Sequence, residues 1–127
     1  MKTGMTSVTF RGKSVEEVVS ITKEANLTGI EWGGDVHVPA GDLPAAEKAA
    51  ALCREAGLSV LSYGSYFHAD EGEDFSPVLA SAKALGAPVI RIWAGRKTYE
   101  ESTPEEFSAL ASRIREAAKA AAETGIR

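Results

Sequence analysis

Residues 29–42 combine the signals of three kinds of local structure: Gly29-Ile-Glu-Trp-Gly-Gly-Asp-Val-His-Val-Pro-Ala-Gly-Asp42. Residues 29–32 suit a short core strand, and Gly33 and Gly34 then let the backbone turn sharply. Asp42 can cap a following helix, because its carboxylate accepts hydrogen bonds from the free amides of a first helical turn. The stretch therefore predicts a strand, a polar loop and a helix in direct succession.

The same order recurs along the chain. Residues that tolerate a left-handed backbone end four predicted helices, at Asn26, Gly57, Gly86 and Gly125. Their spacings of 31, 29 and 39 residues predict a βα repeat of about 30 residues. The predicted strands are residues 5–10, 29–32, 59–63 and 88–93. The predicted helices follow the caps at Ser14, Asp42, Ser76 and Thr103.

Strands that alternate with helices over such short connections require a parallel sheet with right-handed crossovers. We therefore predict a single α/β domain of four βα units over residues 1–127. The final residues, Gly125-Ile126-Arg127, resemble a helix cap followed by the opening of a fifth strand. From this ending we expect a truncated or half-length chain.

Composition excludes several functional classes. The chain has 127 residues, 44% of them hydrophobic and 25% charged, which is typical of a globular domain. A net charge of −4 argues against a nucleic-acid partner, which needs a basic stripe. Cys53 is the single cysteine, so an intrachain disulfide is excluded and a buried thiol is expected. With neither a signal sequence nor a membrane-length apolar run, we expect a cytoplasmic protein with no membrane partner.

Polar and aromatic residues gather at the carboxyl ends of the predicted strands, where parallel α/β folds bind ligands. They are Thr9, Arg11, Asp35, His37, Tyr66, His68, Trp93, Arg96 and Lys97. Both histidines of the chain belong to this set. His37, with Asp35 to orient it, is the candidate general acid or base or substrate hydrogen-bond donor. The alternative is an exposed loop histidine.

Three further features have two interpretations each. His68 is followed by four acidic residues that could hold a cation, but the spacing differs from a calcium loop and favours a solvated acidic loop. Trp32 and Trp93 could each form an apolar wall against a sugar or pack against helices. Glu31 and Arg91 interrupt apolar strands, and alternation places them opposite Ile30, Trp32, Ile90 and Ile92. We predict that Glu31 and Arg91 form a structural ion pair on an inner face rather than take a direct catalytic role, because unpaired burial would be costly.

Three segments carry a family resemblance. Leu-Thr-Gly-Ile-Glu-Trp (27–32), Glu-Ala-Gly-Leu-Ser-Val (55–60) and Leu-Gly-Ala-Pro-Val-Ile-Arg-Ile-Trp-Ala-Gly (85–95) resemble the sugar phosphate isomerase/epimerase family. These are xylose isomerase-like TIM barrels related to the AP endonucleases. The resemblance covers essentially the whole chain but only the first four βα units of an eight-unit barrel. It implies half of a (β/α)8 TIM barrel.

The resemblance also implies a parent enzyme that isomerises or epimerises a ketose or related polyol with a divalent metal, Mn or Mg. The metal ligands of such enzymes lie in the second half, so no metal ligand is expected in this chain. This half would contribute substrate contacts, from positions matching His37, His68 and Trp93. We add Arg96 and Trp32 to the predicted substrate-binding residues. In the AP endonuclease branch His68 would match one metal-binding histidine, but Trp93-Ala94-Gly95 lacks a second, which disfavours DNA repair.

Two hypotheses follow. In the first, the chain is the amino-terminal half of a sugar (phosphate) isomerase or epimerase and is inactive alone. In the second, it is an engineered or excised half-barrel that self-associates and has no catalytic role. In either case the open edges of a four-stranded sheet predict a homodimer or pairing with a second half-barrel.

Overall fold

The computed structural model describes residues 2–127 and contains four strands in one parallel sheet, alternating with four α-helices. The strands are β1 (Gly4–Thr6), β2 (Gly29–Gly33), β3 (Ser59–Gly64) and β4 (Ile90–Arg91). The helices are α1 (Val15–Glu24), α2 (Leu43–Ala56), α3 (Ser76–Leu85) and α4 (Pro104–Ala122). The strand order in the sheet is the chain order, β1-β2-β3-β4. The predicted α/β class and parallel sheet are confirmed.

Local capping signals set the helix ends. The Ser14 and Thr103 side chains accept from the backbone N–H of Glu17 and Glu106, and both glutamates return a bond to the capping residue. Asp42 accepts from the Ala45 N–H at 3.0 Å. Gly57 ends α2 at φ 72°, where a left-handed backbone favours glycine. These helices begin and end close to the predicted residues because each signal lies within one turn of the end that it sets.

Two strands are shorter than predicted. The prediction of a strand over residues 5–10 is wrong beyond Thr6, because Ser7–Phe10 forms a 3₁₀ helix. There the Ser7 hydroxyl turns inward and accepts from the Gly33 N–H at 2.8 Å. The prediction over residues 88–93 reduces to Ile90–Arg91, since Trp93 N–H donates instead to Phe67 O in the loop after β3. In both cases contacts with distant residues end the regular ladder.

A bulge in β3 determines which side chains share a face. Ile30 pairs with Val60, but the next residue of β2, Glu31, pairs with Ser62, so Leu61 is the extra residue. After the shift Trp32 lies beside Tyr63, and both rings are fully buried. The bulge thereby brings the Ser62 hydroxyl next to Glu31 while Tyr63 stays in the core.

The two faces of the sheet differ in polarity. Crossovers between successive parallel strands are right-handed, which places α1, α2 and α3 on one face, and α4 adds Ala117 and Ala121 to the core between that face and the helices. The core also includes Val18, Ile30, Ala49, Tyr63 and Ala82. The opposite face, which we call the polar face, carries the half-buried side chains of Thr6, Glu31, Ser62 and Arg91.

Arg127 lies beside β4. Its N–H donates to Pro88 O and its carbonyl accepts from the Ile90 N–H, which is the hydrogen-bond pattern of parallel strands.

Within residues 2–127, the helices are all too short or too polar to span a bilayer.

Candidate functional site

The carboxyl ends of β1, β2 and β3 are joined by three side chains. Arg11 Nε donates to Asp35 Oδ2 at 2.7 Å, and Arg11 Nη2 donates to the Tyr66 hydroxyl at 2.8 Å. Tyr66 in turn donates to Asp35 Oδ2 at 3.3 Å. The bond to Asp35 raises the pKa of Arg11. For Asp35, burial acts to raise the pKa, but the hydrogen bond from Arg11 and other contacts outweigh it, so the pKa falls and the carboxylate stays ionised.

Aromatic rings form the next part of this edge. The Trp93 indole is 46% exposed, and the His68 ring stacks on it at 6.1 Å between centroids with an interplanar angle of 15°. Tyr66 lies 6.5 Å from the same indole. The Arg91 guanidinium lies 5.4 Å from the indole centroid, within cation–π range. Trp93 therefore connects the edge to the polar face.

Arg96 holds the β3–α3 loop against the residues that follow β4. Its Nε donates to Asp70 Oδ2 at 2.6 Å, and its Nη2 donates to His68 Nδ1 at 3.1 Å. Since arginine can only donate, His68 Nδ1 is the acceptor and the neutral ring carries its proton on Nε2. We refer to Arg11, Asp35, Tyr66, His68, Trp93 and Arg96 together as the edge cluster.

These residues are poorly suited to a divalent metal. His68, Asp70 and Glu73 have potential ligand atoms within 4.8 Å of one another, the one such group found in residues 2–127. However, Arg96 already occupies Asp70 and His68 Nδ1. Glu73 Oε2 accepts from the backbone N–H groups of His68 and Asp70. A guanidinium thus supplies the positive charge that a metal would bring to this position.

The polar face is organised around Glu31. Its carboxylate accepts from Thr6 Oγ1 at 3.3 Å and from Ser62 Oγ at 2.7 Å, and Arg91 Nη2 lies 3.5 Å away. A Cβ on Gly64 would lie 2.7 Å from Arg91 Nη2, so glycine gives the guanidinium room. The side chains remain 25% and 37% exposed for Glu31 and Arg91, and water therefore screens the pair.

His37 lies apart from the edge cluster. It is buried at 5% exposure, with Nδ1 at 3.1 Å from Ser7 Oγ and Nε2 at 3.0 Å from Lys13 O. Because a carbonyl can only accept, Nε2 carries the proton and Nδ1 accepts from Ser7. Both ring nitrogens are thus used in holding the loop after β1. This position supports neither the candidate catalytic role nor the alternative of an exposed loop histidine.

Trp32 also lies away from the surface. Its ring is fully buried and meets His37 edge-on at 6.0 Å. Its indole N–H is the one buried side-chain polar atom of residues 2–127 without a hydrogen-bond partner. Cys53 is buried nearby, and burial raises the pKa of its thiol while Trp32 lowers it by a smaller amount. The enclosed ring agrees with the alternative expected for Trp32, packing in the core, and not with a substrate contact.

The structure thus brings together His68, Trp93 and Arg96 from the predicted substrate-binding residues, and separates them from His37 and Trp32. It adds Tyr66, Arg11 and Asp35, which sequence reasoning collected as strand-end residues without giving them a shared role. Their common position after three successive strands was the available signal. The pairing itself joins residues up to 55 positions apart and depends on the sheet register.

Comparisons with known proteins identify the fold. The xylose isomerase-like TIM barrel profile matches residues 19–127. The probable 3-DHS dehydratase AsbF from Bacillus anthracis superposes with a TM-score of 0.81 at 20% identity, over 99% of this chain and 50% of that one. A putative xylose isomerase from Rhodospirillum rubrum superposes with a TM-score of 0.78 at 14% identity, over 99% of this chain and 52% of that one. A xylose isomerase domain protein from Planctomyces limnophilus superposes with a TM-score of 0.70 at 15% identity, over 98% of this chain and 51% of that one.

The chain spans about half the length of each of these structures. Its four parallel βα units therefore correspond to half of an eight-unit barrel, as predicted. Among proteins of curated function, none matches the sequence significantly.

Proposed function

This chain belongs to the xylose isomerase-like TIM barrel family, and we propose that it forms the amino-terminal half of a sugar isomerase or epimerase. In this proposal the edge cluster supplies part of the substrate-binding surface. The observation that carries it is the half-exposed Trp93 indole, flanked by Tyr66 and His68 at the carboxyl edge of the sheet. The carboxyl edge is where barrel enzymes bind their substrates.

The chemistry of a sugar fits this surface. The C–H face of a sugar can pack on the Trp93 ring, while its hydroxyl groups need donors and acceptors at the rim. Tyr66, Asp35 and Arg11 provide both, and they are already held in place by one another. A surface ordered before binding loses less entropy when a ligand arrives.

We propose that the divalent metal implied by the family, Mn or Mg, is held by residues outside this chain. Support comes from Arg96, which occupies the one acidic group where a metal could fit among the described residues. The chain by itself is then expected to bind a sugar weakly and to convert none. A cytoplasmic location stays a prediction.

Two-dimensional NMR of the chain with D-fructose tests the proposal. We expect saturable shifts at the Trp93 indole N–H and at the Tyr66 and His68 amides. The fully buried Trp32 indole serves as an internal reference. Trp93→Ala should abolish the shifts of the Tyr66 and His68 amides, and Tyr99→Ala, which removes another exposed aromatic ring, should leave all the shifts unchanged. Equal shifts of the Tyr66 and His68 amides in wild type and Trp93→Ala would refute sugar binding at this edge.

A manganese titration tests the placement of the metal. Isothermal calorimetry with Mn²⁺ should show no saturable binding to the chain, and an aldose–ketose assay with Mn²⁺ should show no conversion. Tight, stoichiometric Mn²⁺ binding would show that this half carries ligands after all.

A second candidate function is assembly, with this chain as a self-associating half-barrel. It is favoured by the exposed rings near the β4 side of the sheet, where Tyr99, Phe107 and Trp93 are 73%, 49% and 46% exposed. Apolar groups in such numbers at one side are typical of an interface. The occupant would be a second copy or a complementary half-barrel.

A further inference from the structure

We propose that the edge cluster selects an uncharged sugar or polyol over its phosphate ester. This inference rests on the proposed function, because it names the substrate class of that same surface. It follows from how the basic side chains at the carboxyl edge are paired, and from the charge of the loops around them.

Each basic side chain in the loops after the strands, and Arg91 on the polar face, has a carboxylate partner. Arg11 lies 2.7 Å from Asp35, and Arg96 lies 2.6 Å from Asp70. Arg91 pairs with Glu31 at 3.5 Å. The two lysines of these loops pair with glutamates of the following helices, Lys13 with Glu17 and Lys97 with Glu106.

Exposed ion pairs are weak, and a phosphate could displace a lysine partner easily. The two arginines of the edge cluster differ because each has further fixed partners. Arg11 also donates to Tyr66 and to Val8 O, and Arg96 also donates to His68. A phosphate dianion approaching either guanidinium would meet a carboxylate oxygen already bound there.

The surrounding loops are acidic as well. The four loops, residues 7–14, 34–42, 65–75 and 92–103, contain four Lys or Arg and eight Asp or Glu. Residues 65–75 alone contribute four of the acidic residues and no basic one. The formal charge of these loops is therefore −4, four positive against eight negative charges, which repels a dianion through partly screened interactions.

A neutral polyol avoids both the competition with the bound carboxylates and the repulsion by the acidic loops. Its hydroxyl groups can donate to carboxylate oxygens and accept from the N–H groups that the ion pairs leave free. Asp35 and Glu31 retain 22% and 25% side-chain exposure, which leaves part of each carboxylate accessible. Balanced pairs of this kind present donors and acceptors without requiring a charge on the ligand.

The test compares D-fructose with D-fructose 6-phosphate by NMR titration of the Trp93 indole signal. We expect the phosphate ester to bind about three- to tenfold more weakly at low salt, with the gap narrowing as salt screens the repulsion. Tighter binding of the ester would overturn the inference while leaving the proposed sugar site in place. Failure of both ligands to bind would overturn the proposed function and the inference together.

A pair of variants separates the local effect from net charge. Asp35→Asn releases the guanidinium of Arg11, and the affinity for the phosphate ester should rise about threefold or more relative to fructose. Glu16→Gln removes the same charge from the Lys48 pair between α1 and α2 and should leave the ratio unchanged. Equal responses of the two variants would contradict a role for the pairing of Arg11.

Discussion

Ser7 and His37 are joined by a buried hydrogen bond, with 3.1 Å between Oγ and Nδ1. The Ser7 oxygen also accepts from the Gly33 N–H, so one hydroxyl links the loop after β1 to β2 and to the loop after β2. His37 continues the chain of bonds to Lys13 O. These hydrogen bonds order the loop that carries Arg11.

Replacing Ser7 should therefore destabilise the protein. Ser7→Ala leaves the Gly33 N–H and His37 Nδ1 without partners in a buried position, which costs about 1–3 kcal/mol of unfolding free energy. Ser20→Ala is the matched control, because Ser20 is exposed and its hydroxyl bonds only Glu24. Urea unfolding measures both. Equal urea midpoints for the two variants would show that the hydrogen bonds of Ser7 add no stability.

Tyr63 should make stability fall at alkaline pH. Its buried hydroxyl donates to Val38 O at 2.8 Å, and burial raises its pKa to about 12. The unfolded chain releases this proton near pH 10 while the folded protein retains it. The stabilisation that the Tyr63 hydroxyl contributes is complete below about pH 10. It is lost as the pH rises towards 12, which lowers the free energy of unfolding by about 2–3 kcal/mol.

Tyr63→Phe supplies the comparison for that effect. Urea unfolding from about pH 9 upward should show wild type losing stability faster than the variant, since other groups titrate equally in both. Parallel curves would mean that Tyr63 ionises at an ordinary pKa and that its burial is not maintained.

The ion pair on the polar face should contribute little. Arg91 Nη2 and Glu31 Oε1 are 3.5 Å apart and both side chains are partly exposed, so we expect a coupling of at most about 1 kcal/mol. A double-mutant cycle with Glu31→Gln and Arg91→Gln measures it. Coupling above about 2 kcal/mol would point instead to a desolvated pair, as occurs when a partner covers this face.

Assembly can be tested through the exposed rings. If the β4 side pairs, light scattering over a concentration series should approach twice the 13.4 kDa chain mass. Phe107→Ser should then shift the protein towards the monomer by removing a ring that is 49% exposed. Val36→Ser, at 47% exposure in the loop after β2, should not. A monomer at every concentration would reject pairing of this chain with itself.

The order of the elements and the ends of the helices could be predicted because their causes are local. Ser14 with Glu17, Asp42 with Ala45, and Gly57 after α2 each act within a single turn. Strand alternation also placed Ile30 and Trp32 opposite Glu31, because side-chain direction in a strand follows from the backbone. Sequence likewise placed His68, Trp93 and Arg96 at one edge, since parallel strands end on the same side.

The remaining features depend on packing between distant parts of the chain. The bulge at Leu61, the early end of β1 at Thr6 and the burial of His37 all depend on how one strand lies against another. Arg96 and Asp70 are 26 positions apart, and Arg11 and Tyr66 are 55 apart. Which polar groups meet over such distances depends on sheet register and desolvation, which emerge only when the whole chain packs. Local sequence signals thus specify the βα units and the edge where polar groups gather, whereas packing specifies which of those groups bond to one another.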